Sequence, residues 1–143
     1  EGTVISDVVN TAARMEGLTK RYRSPILISE QTLKELDQPI KHNYRFMEHV
    51  KVKGKIQSTS VYEIYDSEPQ TTIKLKNATQ ETLDQGISAY YKRQFKSATE
   101  HFQQALSNYP NDRISQIYLE LAEIYKQNGV PDGWNGEVEM TEK

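Results

Sequence analysis

The chain has 143 residues, 36% of them hydrophobic and 27% charged, enough for one modest domain or two small ones with an ordinary core. Eighteen Lys and Arg stand against 20 Asp and Glu, for a net charge of −2, so the strong basic excess expected of a nucleic-acid binder is missing. There are no cysteines, which excludes disulfides and thiolate metal sites, and no run of about 18 apolar residues, so no membrane segment and a cytoplasmic setting are expected.

In chain order, Val8, Val9, Ala12, Met15 and Leu18 recur at helical spacing, with Asp7 placed to cap and Gly17 expected to weaken the far end. Pro25 precedes the short apolar run Ile26-Leu27-Ile28, which predicts a buried strand. Ser29 with Thr32 opens a second helical stretch through Leu33 and Leu36 up to Pro39. Val50 and Val52 alternate with lysines, Lys53-Gly54-Lys55 interrupts, and Val61, Tyr62, Ile64 and Tyr65 predict a closing antiparallel strand. Helix, strand, helix and strand pair in that order suit one end of an α/β or α+β domain whose remaining strands come from elsewhere, and α+β is the fold class expected.

Residues 67–78 are polar, contain Pro69 and show little periodicity, so a linker is expected there. Beyond it the pattern is helical. Leu83, Ile87, Tyr90 and Tyr91 form one stripe; Phe95, Ala98, Phe102, Ala105 and Leu106 form another, stopped by Asn108-Tyr109-Pro110. A third stripe runs from Ile114 through Ile117, Tyr118, Leu121, Ala122 and Tyr125 to Asn128-Gly129. Residues 129–143 are too rich in glycine for a helix, and Trp134 is the expected anchor of this tail.

The segment Thr3-Val4-Ile5-Ser6-Asp7-Val8-Val9-Asn10-Thr11-Ala12-Ala13-Arg14-Met15-Glu16, followed by Val52-Lys53-Gly54-Lys55 and Val61-Tyr62-Glu63-Ile64, resembles the catalytic domain of the class III adenylate and guanylate cyclases, which make cyclic AMP or cyclic GMP. The resemblance covers about residues 3 to 65 and implies the C-terminal part of a ferredoxin-like cyclase domain over 1–66. Tyr90-Tyr91-Lys92-Arg93-Gln94-Phe95 with Ala98, Phe102, Ala105 and Pro110 looks like a tetratricopeptide unit over 79–128, although its inter-helix turn lacks the usual glycine. Together with the Trp134 tail this resembles the extension of bacterial, notably cyanobacterial, cyclases.

Asn10 and Arg14 are four apart, so on a helix both side chains reach one ligand. The resemblance implies that Asn10 orients the ribose and that Arg14, with several donors in a fixed fork, stabilises the pentavalent phosphorus. Thr3 would accept from the adenine amino group, which leans the substrate towards ATP, while Ser6 stands where glycine is commoner. Lys53, with Lys55 in reserve, would meet the β- and γ-phosphates. Magnesium or manganese is expected with ATP, but the two metal-binding aspartates belong to earlier strands, and no metal ligand is assigned here. Asp7 fits a helix cap, Asp37 a surface helix end, and His42, His49 and His101 ordinary surface or edge positions. The family works as a head-to-tail dimer with shared sites, so a homodimer or a complementary half-domain is the implied partner.

The residues also admit plainer explanations. Arg14 alone suits a surface ion pair, Asn10 a surface amide, and the lysines around Gly54 a solvated strand face. Two rival functions follow: a cyclase-like module without activity that dimerises or senses nucleotide, and a protein-interaction module acting through the helices.

Overall fold

The computed structural model describes residues 17–24, 26–36, 41–52 and 58–140, with backbone alone at 52 and 138–140. The chain is a mixed α+β protein in two compact units, one formed by Glu1–Tyr65 with Glu137–Lys143 and the other by Asp66–Gly136.

In the first unit the described end of helix α1, residues 17–22, buries Leu18 and Tyr22, which four-residue spacing puts on one face. Gly17, expected to weaken the far end of this helix, is itself helical with open space around it, and the helix stops at Arg23, whose φ of 53° lets Ser24 N–H reach the Thr19 carbonyl at 3.0 Å. Strand β1, Leu27–Ser29, runs directly into helix α2, Glu30–Glu35. Ser29 caps that helix as the sequence predicts, its Oγ accepting from Thr32 N–H at 3.2 Å.

Strand β2, Tyr44–Val52, pairs antiparallel with β3, Ser58–Ile64, which pairs antiparallel with β1 on its other side. A short strand β4, Val138–Met140, adds parallel to β2, giving the order β1-β3-β2-β4 among the described residues. Strand β2 begins six residues earlier than the Val50 and Val52 alternation suggests, because a bulge between Phe46 and Glu48 changes its phase. The extra residue puts Arg45, Met47, Glu48 and Val50 all in the core, beside Val61, Glu63 and Tyr65.

The second unit is three helices: α3, Gln70–Tyr91; α4, Phe95–Asn108; and α5, Arg113–Asn128. Helix α3 starts inside the stretch expected to be a linker. Pro69 stands at its N-cap position, where a missing N–H costs nothing, and Lys76 reaches back to both carboxylate oxygens of Glu68 at 2.8 and 2.9 Å. The α3–α4 contact is close: a Cβ on Gly86 would sit 2.6 Å from Cε1 of Phe102, so only glycine lets the ring lie there. Phe102 stacks on Tyr118 of α5 with ring centroids 5.4 Å apart. Asp112 at the start of α5 accepts from Ser115 Oγ at 2.6 Å, and Gly129 at φ 76° ends the helix where the sequence predicts.

Candidate functional site

Residues 53–57 join β2 to β3, and Lys53 and Lys55 fall there, outside the described residues. Thr3, Asn10 and Arg14 also lie outside them, ahead of the described end of α1. What the structure places is the chain on both sides of Lys53 and Lys55 and the stretch that follows Arg14 from residue 17 onwards. Lys51, opposite Ser58, is exposed at the end of the β2–β3 ladder, one residue before Val52 and the basic connection. Leu18 and Tyr22 seat the far end of α1 in the core of the same unit.

The same unit holds charged groups that the sequence reading did not single out. Arg45 and Glu63 face each other across β2 and β3, with Nε donating to Oε2 at 2.5 Å and both side chains 3% exposed or less. At such depth the pair holds together only because each charge neutralises the other. Glu48 is also buried, and its Oε2 has no hydrogen-bond partner, as is true of Tyr22 Oη and Ser24 Oγ among the described residues. Burial pushes the Glu48 carboxyl up from 4.5 to about 7, against a smaller downward pull from the Arg21 guanidinium. One signal could have found it. Met47 and Val50 are three apart, which a regular strand cannot place on one face, so two apolar residues at that spacing announce a bulge and an inward neighbour.

On the opposite sheet face, Tyr44, Phe46 and Tyr62 are half-buried, with edge-on ring contacts of 6.0 and 5.7 Å. His49 takes part in this layer, 4.9 Å from Phe46, with Nδ1 hydrogen-bonded to Ser60 Oγ at 3.0 Å. His101 is tied to the Ser97 carbonyl of its own helix at 2.8 Å. Among the described residues no group of three or more His, Asp or Glu is placed to hold a metal ion. No described helix is long and apolar enough to cross a membrane.

Within the second unit the ring of Trp134 packs against the helices. It lies 5.4 Å from Tyr90 and Tyr125 and 5.7 Å from Phe95. Arg93, at φ 63° in the turn where a glycine is usual, donates from Nη2 to the Trp134 carbonyl at 2.7 Å and lies over the indole.

No protein-family model matches the chain, and no solved structure does. A Dictyostelium discoideum protein named "Adenylate cyclase, terminal-differentiation specific" is 32% identical over 121 residues, which is 84% of this chain and 6% of that protein. An Anabaena cylindrica protein named "Adenylate cyclase" is 46% identical over 65 residues, 45% of this chain and 13% of that protein. The chain thus spans only a small part of either relative, but the first match is longer than either of its own units. Both similarities relate the chain to adenylate cyclases.

Proposed function

We propose that this chain is the C-terminal portion of a purine-nucleotide cyclase, one that converts ATP to cyclic AMP and pyrophosphate and here carries half of a shared site. The observation that supports this reading is the similarity to two adenylate cyclases, one running through 84% of the chain. In the reaction the ribose 3'-oxygen bonds to the α-phosphorus while the bond to the bridging oxygen of the β-phosphate breaks. The 3'-hydroxyl proton passes to a solvent base, and negative charge grows on the departing pyrophosphate.

Each candidate residue answers one part of that charge movement. Asn10 orients the ribose so that its 3'-oxygen lies in line with the leaving group. Arg14 donates to the oxygens of the five-coordinate phosphorus, where fixed donors stabilise developing charge most. Lys53, with Lys55 in reserve, opposes the charge on pyrophosphate, and Thr3 accepts from the adenine amino group. Aspartates of a homodimer partner or complementary half-domain would hold magnesium or manganese, which when bound would neutralise phosphate charge and make the 3'-hydroxyl more acidic. A site divided in this way leaves the single chain without turnover.

The experiment joins this chain to the segment that precedes the matched region in the Anabaena cylindrica relative. Arg14→Ala then lowers cyclic AMP formation roughly 100-fold or more, with Asn10→Ala close behind, and neither unfolds the domain. Undiminished turnover in both variants removes these residues from the site.

The helical unit supports a second, compatible role. Small Ala98 and Ala105, the Gly86–Phe102 contact and the left-handed turn at Arg93 fit a tetratricopeptide-like pair of helices followed by the first helix of another unit. An open surface depression of about 670 Å³, lined by Phe95, Tyr125, the cations Arg93, Lys96 and Lys126 and one acidic residue, Glu100, has a positive excess that suits an acidic protein segment. Lys96→Glu with Lys126→Glu abolishes such binding and leaves cyclic AMP formation intact; loss of turnover in that variant contradicts the separation of roles.

A further inference from the structure

Three cations meet at one end of the helical unit. Arg93 stands in the α3–α4 turn, Lys96 in the first turn of α4 and Lys126 in the last turn of α5, and all three are exposed and line the same depression of about 670 Å³. Glu100 is the acidic residue of that lining, so three positive charges stand against one negative. A spacing of four permits a Lys96–Glu100 ion pair on the helix surface, yet among the described residues neither makes one, and Lys126 makes none either. Arg93 is held differently. Its bond to the Trp134 carbonyl at 2.7 Å keeps the guanidinium over the indole, so its remaining donors are presented in a fixed direction.

Between the cations the lining is aromatic. The half-buried Tyr125 ring rests on the buried Phe95 ring, with centroids 5.6 Å apart. Lys96 follows one of these rings in the chain and Lys126 the other, so the charges border the ring pair and do not converge on a point. A lone phosphoryl group would meet the cations and leave the ring surface in water, and so would a run of carboxylates with no apolar residue among them. Gln94 also lines the depression, and its amide makes no hydrogen bond among the described residues, which leaves it able to pair with a peptide group of a bound chain.

We propose that this depression takes one kind of acidic protein segment: an aromatic or long aliphatic side chain seated against Tyr125, with carboxylates on both sides that meet Arg93 and Lys96 on one flank and Lys126 on the other. The proposal rests on the reading of the helical unit as a protein-interaction module and names what that module binds. Attraction and selectivity then come from different groups. The exposed cations speed encounter with any acidic chain and discriminate weakly, whereas the apolar side chain withdrawn from water decides which acidic segment stays.

The test is fluorescence anisotropy at low salt with the full chain and labelled, amidated peptides. The first peptide carries phenylalanine between two pairs of glutamates; the second carries alanine in that place and the third phosphoserine. The phenylalanine peptide binds, the alanine peptide binds at least about tenfold more weakly, and the phosphoserine peptide also falls below the first. Lys96→Glu with Lys126→Glu removes binding while Trp134 emission shows the helices intact, and Glu100→Gln strengthens it about twofold. Equal affinity for the phenylalanine and alanine peptides overturns the apolar anchor and leaves the interaction reading standing. Tightest binding of the phosphoserine peptide overturns the proposal in favour of a phosphoryl site, and an oligothymidylate that binds as tightly as the phenylalanine peptide overturns it in favour of a general polyanion surface. No binding of any peptide overturns the interaction reading and the proposal with it.

Discussion

In the sheet unit three charged side chains, Arg45, Glu48 and Glu63, are each 3% exposed or less, whereas the helical unit fills its centre with Leu83, Ala98, Phe102 and Tyr118, each 1% exposed or less. The helical unit buries charge too, but at helix beginnings, where Lys76 pairs with Glu68 and Asp112 with Ser115. The sheet carries its charges on the core face of adjoining strands. The first unit's stability is therefore conditional on pairing and protonation, and the second's on shape.

Glu63→Ala gives the largest change expected. It leaves the Arg45 guanidinium buried with its facing carboxylate gone and costs the sheet unit about 4 kcal/mol. Urea unfolding followed by amide exchange shows the loss in β2 and β3 and not in α3 to α5. Replacing both partners at once, Arg45→Met with Glu63→Leu, restores most of it, since a well-packed apolar pair makes no desolvation demand. A double variant as unstable as Glu63→Ala contradicts the pairing argument.

Next in size is a dependence on pH. With the folded Glu48 carboxyl raised to about 7 and its unfolded value near 4.5, the folded state holds a proton across that window that the unfolded state has released. Stability of the sheet unit is full below pH 4.5, falls as pH rises through the window, and is lower by about 3 kcal/mol above pH 7, at 1.36 kcal/mol per pH unit. Glu48→Gln flattens this slope. An unchanged slope in that variant assigns the titration to another group.

In the helical unit the sensitive parameter is volume. Gly86→Ala drives a methyl against the Phe102 ring and costs about 2 kcal/mol, and Phe102→Leu made in the same chain recovers part of the loss. Smallest of the four is Arg93→Gly. Relief of the left-handed strain offsets the lost bond to the Trp134 carbonyl, so stability shifts by less than about 1 kcal/mol while the Trp134 emission moves towards that of a wetter indole. A loss of several kcal/mol there shows that the tail link, and not the turn, dominates at Arg93.

The two units were unequally legible in the sequence for the same physical reason. In the helical unit Leu83, Ile87, Phe102 and Ile117 announce their faces through neighbours three and four residues away, and the stops at Asn108 and Gly129 are local signals. The start of α3 was hidden because its first turns bury Ile73, Lys76 and Thr79, and the last two do not count as apolar. In the sheet unit the decisive event is a single extra residue at Met47, which turns Glu48 inward. Its partners on β3 are more than ten residues away, so the spacing of Met47 and Val50 is the one local trace it leaves. The β4 pairing is more distant still, with Val138 opposite Val50, and glycines around it suggest only an irregular tail. Of the candidate site, Thr3, Asn10, Arg14, Lys53 and Lys55 were legible as a pattern of residue types, and they lie outside the described residues. Arg45, Glu48 and Glu63 were not, since nothing in a charged residue's identity says that it is buried.

The most direct measurement is cyclic nucleotide formation by this chain mixed with a chain supplying the preceding half of the cyclase domain, with manganese-ATP and manganese-GTP in parallel and Asn10→Ala as the control. Cyclic AMP from the mixture, absent with either chain alone and lost in Asn10→Ala, is the predicted result. No product from a demonstrably folded complex contradicts it and assigns the chain to a cyclase-like module that binds without turning over.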